Sequence, residues 1–140
     1  MGDRVSLSFK DEDGAESPSL FHHWGGTKFP KYANEWFKDF KTKANALNKE
    51  GRDPLTRLEA RNILAQFIVE CSKEEDLKYT LNVETDKNFN VIKREKSPNW
   101  LSDSIYLGKD SYDGDNSDNG HYTITTYDGK MHNSKGEEIL

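Results

Sequence analysis

The chain has 140 residues, with 20 Lys and Arg against 25 Asp and Glu for a net charge of −5. Leu, Ile, Val and Phe together number only 28, yet seven Phe, six Tyr and three Trp are more aromatics than a disordered chain carries. This fits one domain over residues 1–140 with a modest aromatic core; it excludes a membrane span of ~20 apolar residues, makes a nucleic-acid partner unexpected for an acidic chain, and, with no basic and apolar leader in the first ten residues, sets a cytoplasmic location as the expectation.

Val5-Ser6-Leu7-Ser8-Phe9 alternates with period two and predicts a strand. Asp11-Glu12-Asp13-Gly14 is a hairpin signal, and Ser19 to Trp24 is a second strand that stops at Gly25-Gly26. Tyr32 to Asn48 reads as a helix with Trp36, Phe40, Ala44 and Leu47 on one stripe. A second helix is expected from Asp53-Pro54, where Asp can cap and Pro suits the first turn. Its stripe of Ala60, Ile63, Leu64, Phe67, Ile68 and Cys71 is the greasier of the two. Tyr79, Leu81 and Val83, a polar turn at Asp86-Lys87-Asn88, and Val91-Ile92 predict a β-hairpin, followed by a charged loop from Lys93 to Asn99. Ile105 to Gly108 and Tyr122 to Tyr127 read as strands. Residues 130–140 are polar and are expected to fray. The sum is α+β: two helices packed on a mostly antiparallel sheet, in two layers.

Charge is uneven. Residues 28–52 carry seven Lys and Arg against three acids, whereas residues 101–128 carry six Asp against Lys109 alone. The pattern is that of solvated faces, or of an anion site near the basic helix and a cation site in the acidic segment. In the acidic segment Asp113, Asp115 and Ser117 have the spacing of the first three ligands of a calcium loop. The sixth position is then Asp118 instead of Gly and the twelfth is Ile124 instead of Glu, so this is no EF-hand. A looser Ca²⁺ or Mg²⁺ site from Asp113, Asp115, Ser117, Asp118 and His121 competes with a plain polar connection turned by Asn119-Gly120.

His22-His23-Trp24-Gly25-Gly26 is the second cluster. Neighbouring strand residues face opposite ways, so His22 and His23 cannot both serve one metal without a bulge. Trp24 is either a stacking platform or a core lid. Gly25-Gly26-Thr27-Lys28 leading into a helix offers amides and a cation to a phosphate, without Walker spacing. Cys71, on the second helix's apolar stripe, reads as a buried thiol, and as the chain's only cysteine it forms no internal disulfide. No Gly-x-Ser-x-Gly elbow occurs, and His132 lies in the polar tail.

Two blocks together resemble a group of small prokaryotic and phage proteins. The first is Ser6-Leu7-Ser8-Phe9 with Leu20-Phe21-His22-His23-Trp24-Gly25-Gly26; the second is Ile105-Tyr106-Leu107-Gly108-Lys109-Asp110 with Asp113 to Tyr122. The segment 78–99 has no counterpart there and reads as an insertion. The resemblance implies that the His-Trp-Gly-Gly turn and the acidic loop belong to one architecture, and it is compatible with host–phage conflict. It implies no activity.

The expected function is a small non-enzymatic binding protein. It would hold a protein partner or a small anionic ligand through His22, His23, Trp24, Gly25, Gly26, Tyr106 and Lys109. The alternatives are a metal-dependent phosphoester hydrolase built on the His/Asp residues, and a purely structural interaction module.

Overall fold

Alternation in Val5–Lys10 (β1) sends Val5, Leu7 and Phe9 to one side and Ser6 and Ser8 to the other. Ser19–His22 (β2) pairs with it antiparallel, with Ser6 opposite Phe21 and Leu7 opposite Leu20. The computed structural model describes residues 2–49, 58–73, 79–98 and 105–139. It contains helices Lys28–Lys49 (α1) and Ala60–Cys71 (α2), a hairpin of Tyr79–Thr85 (β3) and Val91–Pro98 (β4), and strands Ile105–Gly108 (β5), His121–Thr125 (β6), Met131–Asn133 (β7) and Glu138–Ile139 (β8). Six strands form one sheet in the order β5-β2-β1-β6-β7-β8, and β3-β4 form a second. All pairings in the main sheet are antiparallel except β1 with β6. The α+β architecture, with two helices and a mostly antiparallel sheet, is therefore as the sequence reads.

Both helices pack on the face that carries Val5, Leu7, Phe9, Leu20, Ile124 and Met131. Phe67 of α2 is the hub: its ring lies against Phe9, Phe29, Tyr32 and Trp36 at centroid distances of 5.3–6.3 Å. Each buried aromatic of this kind contributes about 1.5–3 kcal/mol. Cys71 is buried in the same core, as its stripe position implies.

Several boundaries move. α1 starts at Lys28, four residues before the expected Tyr32, because Pro30 suits a first turn. Its buried face is Phe29, Ala33, Phe37 and Ala44, with Trp36 and Phe40 on the flank. α2 begins at Ala60, not at Asp53-Pro54, a dipeptide outside the described residues. The cap is long-range: the Asp11 carboxylate accepts a bond from the Ala60 amide at 3.1 Å, and Glu59 makes no side-chain cap bond. β2 stops at His22 instead of Trp24, and β6 at Thr125 instead of Tyr127. Lys93 to Pro98, expected as loop, pairs along β3 with a bulge at Glu84/Thr85. The hairpin at 79–98 lies outside the main sheet.

Residues 130–140, expected to fray, carry β7 and β8 in place of a loose end. Gly129 (φ 72°) and Gly136 (φ 83°) supply the left-handed turn positions. The Asn133 carboxamide oxygen accepts from the Lys135 and Glu137 amides, and Met131 reaches the core.

Strand order also fixes the path of residues 109–120. β5 is at the edge, and β6 lies beyond β2 and β1. The connection must therefore cross both strands on the face that the helices leave open. This places the acidic loop over Ser6 and Phe21, with Asn116 on the first and Gly114 on the second.

Candidate functional site

The loop after β2 and the end of the acidic loop meet at the start of β1. β2 runs antiparallel to β1 and β6 runs parallel to it, so the end of one and the beginning of the other fall together. Asp3 and Arg4 join them. The Asp3 amide donates to the His23 carbonyl at 3.0 Å, and the Gly26 amide donates to the Asp3 carbonyl at 2.8 Å. The Arg4 amide donates to Asp118 Oδ2 at 2.9 Å, and its guanidinium pairs with Asp118 at 3.3 Å and Asp115 at 3.1 Å. Asn119 donates to Asp3 Oδ1 at 2.6 Å.

At this end Trp24 is 59% exposed, with the His23 ring against it at 4.6 Å. His22 points the other way, into the core beside Phe29, and its Nδ1 accepts the Trp24 amide at 3.0 Å. The two histidines are thus split by strand alternation. Gly26 (φ 58°) is occupied from above: a Cβ there would lie 2.5 Å from the Asp3 carboxylate. The Gly26 amide is taken by the Asp3 carbonyl, so it is not open to an anion. Gly25 is closely packed against Phe29 and His22. Asp115 is held below the usual carboxylate range by the Ser117 hydroxyl and amide, aided by the charges of Arg4 and His23.

Tyr106 and Lys109 lie elsewhere. Tyr106 stacks on Phe21 across β5 and β2, with centroids 5.0 Å apart and planes 4° from parallel, and its hydroxyl accepts the Asp115 amide at 2.9 Å. Gly114 lies on both rings; a Cβ there would meet each at 2.8 Å. Gly108 pairs with Ser19, so Lys109 leaves the sheet at the end away from Trp24.

Of the expected cation ligands, Asp115 and Asp118 meet on the Arg4 guanidinium. Asp113 accepts the Lys109 amide, Asp115 the Ser117 amide, and Asp118 the Arg4 amide. Among the described residues no three His, Cys, Asp or Glu side chains are placed to hold one metal ion.

His121 has a different setting, which the spacing of residues did not disclose. It pairs with Ser6 in the parallel register and lies under the loop. Its Nδ1 is 2.7 Å from Ser6 Oγ, and its Nε2 is 3.0 Å from Ser8 Oγ. Ser8 donates to the Glu16 carboxylate at 3.2 Å, and Asn116 Nδ2 donates to Ser6 Oγ at 2.8 Å. A carboxylate only accepts. Ser8 therefore gives its proton to Glu16 and receives the Nε2 proton, leaving Nδ1 to accept from Ser6. Protons are handed one way along Asn116, Ser6, His121, Ser8 and Glu16. Burial pushes the imidazole below the usual histidine range, and Glu16 opposes this. A hydroxyl facing an imidazole is the start of a nucleophile–base pair, but Ser6 and Ser8 are fully buried, so the arrangement works as a polar clamp holding the loop down. The usable signal was Ser-x-Ser on β1, which becomes informative only once β6 is known to lie beside it.

The chain matches no family model, and neither a curated protein nor a solved structure is significantly similar to it.

Proposed function

We propose that this is a non-enzymatic binding protein that docks a basic segment of a protein partner on the Trp24 end of the sheet. The observation that carries this is the exposed Trp24 indole on a turn tied to Asp3, whose chain neighbour Arg4 holds the Asp115 and Asp118 carboxylates. Tryptophan gives large contact area at small entropic cost and attracts cations to its face. Arg4 offsets only part of the acidic charge of Asp3, Asp115 and Asp118, which favours a cationic partner over a small anion at this end. The pairing of Asp115 and Asp118 with the Arg4 guanidinium favours binding over metal-dependent hydrolysis. The resemblance to small phage and prokaryotic proteins adds a setting, host–phage conflict, without adding a chemistry.

The test is panning of a displayed peptide library on the wild-type protein and on Trp24→Ala. Lys- and Arg-rich peptides should be enriched, bind less well as salt rises, and lose at least tenfold in affinity on Trp24→Ala. Peptides that bind both proteins equally would overturn the reading.

A further inference from the structure

Among the described residues four strands lie at a sheet edge, and three of them are blunted. β5 and β8, at the two ends of the main sheet, are four and two residues long. β4 carries Lys93, Arg94 and Lys96 and ends in Pro98, which has no amide proton to give. Short strands, lysines and proline are the common protections of an edge against pairing with another chain. β3 has none of them. Tyr79-Thr80-Leu81-Asn82-Val83-Glu84-Thr85 is seven residues long, is rich in β-branched and aromatic residues, and holds a single charge.

The hairpin also lacks the cover that the main sheet has. Among the described residues β3 pairs with β4 alone. Val83, Val91 and Ile92 are 48%, 46% and 60% exposed. Its turn is well made: the Asp86 carboxylate accepts the Asn88 and Asn90 amides at 2.8 and 3.0 Å. A two-stranded ribbon is nevertheless marginal in water, and a third strand is what such a ribbon needs. The unguarded side on which one can add is β3.

The strand is complementary to itself. Place two copies of β3 antiparallel about a two-fold axis, and only the register centred on Asn82 pairs all seven residues. That register sets Leu81 opposite Val83, Thr80 opposite Glu84 and Tyr79 opposite Thr85, so no like charges meet. The same operation on β4 sets Lys93 opposite Lys96 twice and Val91 opposite Pro98, which repels. From this we infer that a second copy of this chain adds along β3, giving a four-stranded antiparallel sheet in the order β4-β3-β3-β4. The contact is isologous and closes at two copies. Seven residues a side make a small interface, so the dimer forms and dissociates with concentration.

The experiment is sedimentation equilibrium of the full chain over a concentration series, with hydrogen exchange on the same samples. The wild type should pass from monomer to dimer with no larger species. Exchange at the amides of residues 79–85 should slow as the dimer fills, and that of residues 91–98 should not change. Asn82→Lys puts two ammonium groups face to face on the axis, while its partner within the hairpin is Glu95, so the monomer keeps its fold. It should weaken dimerisation about fivefold, and mixing it with Asn82→Asp should restore association as a heterodimer. A wild type that stays monomeric throughout, a dimer indifferent to Asn82→Lys, or a mixture that does not recover would overturn the inference. Slowed exchange at residues 91–98 or 105–108 in place of 79–85 would overturn it too, by putting the contact on another edge.

Discussion

The helix-side face of the sheet presents Val5, Leu7, Phe9, Leu20, Ile124 and Met131. The opposite face presents Ser6, Ser8, Ser19, Phe21 and His121, and these are buried too. On the first face the cover is two amphipathic helices, and the contacts are apolar and non-directional. On the second the cover is a polar loop, and each contact is a hydrogen bond or a flat aromatic overlap. Ser19 alone keeps a buried hydroxyl without a partner among the described residues. Alternation along a strand therefore states that two faces differ; it does not state that the polar one is wet. A polar face can be closed when the covering segment brings its own donors, as the Asn116 carboxamide does for Ser6 and the Asp115 amide for Tyr106.

The largest expected effect is on the helix side. Phe67→Ala removes the hub of the aromatic cluster and should cost about 3–5 kcal/mol in urea unfolding. A loss under about 1 kcal/mol would mean that the helices do not close this face as described. On the loop side, Gly114→Ala forces a methyl against Phe21 and Tyr106 and should cost about 1–3 kcal/mol. It should also raise hydrogen exchange across residues 109–120; unchanged exchange would break the picture of a loop seated on those rings.

The smallest effect is a pH dependence. Burial holds His121 below the usual histidine range, so the unfolded chain takes up this proton before the folded chain does. The stability it contributes is full above the unfolded-state value of about 6.5. It is lost as pH falls from there through the lower folded-state value. Urea midpoints measured from about pH 7.5 to about pH 5 should fall less steeply for His121→Gln than for the wild type. Identical slopes would mean that the imidazole is not held neutral by its surroundings.

Local patterns in the sequence carried most of the fold. The Val5 alternation, the Ala60–Cys71 stripe and the polar turn at Asp86–Asn88 each define an element within a dozen residues. What was not legible depended on partners far apart in the chain. The cap of α2 comes from Asp11, and the neighbour of β1 comes from residues 121–125. The polar tail became β7 and β8 because a waiting sheet edge gave a short sequence something to pair with. For the candidate site, His22, His23 and Trp24 were found by residue type and adjacency. Their link to Asp115 and Asp118 runs through Asp3 and Arg4, which carried no signal of their own. His121 was recognised, but as a metal ligand, since nothing local ties an imidazole to two serines more than a hundred residues earlier.

The parallel pairing of β1 with β6 has a consequence for how the chain is made. About 110 residues separate the two strands, and a ribosome adding ~5–20 residues per second needs roughly 5–20 s to cross that interval. Through that time β1 has only β2 beside it. Its other edge offers unpaired amides and carbonyls, with Leu7 and Phe9 close by, to any extended segment in reach. The strand at the heart of the finished sheet is thus its most vulnerable one during synthesis, and it becomes safe only when the acidic loop has swung across and delivered β6.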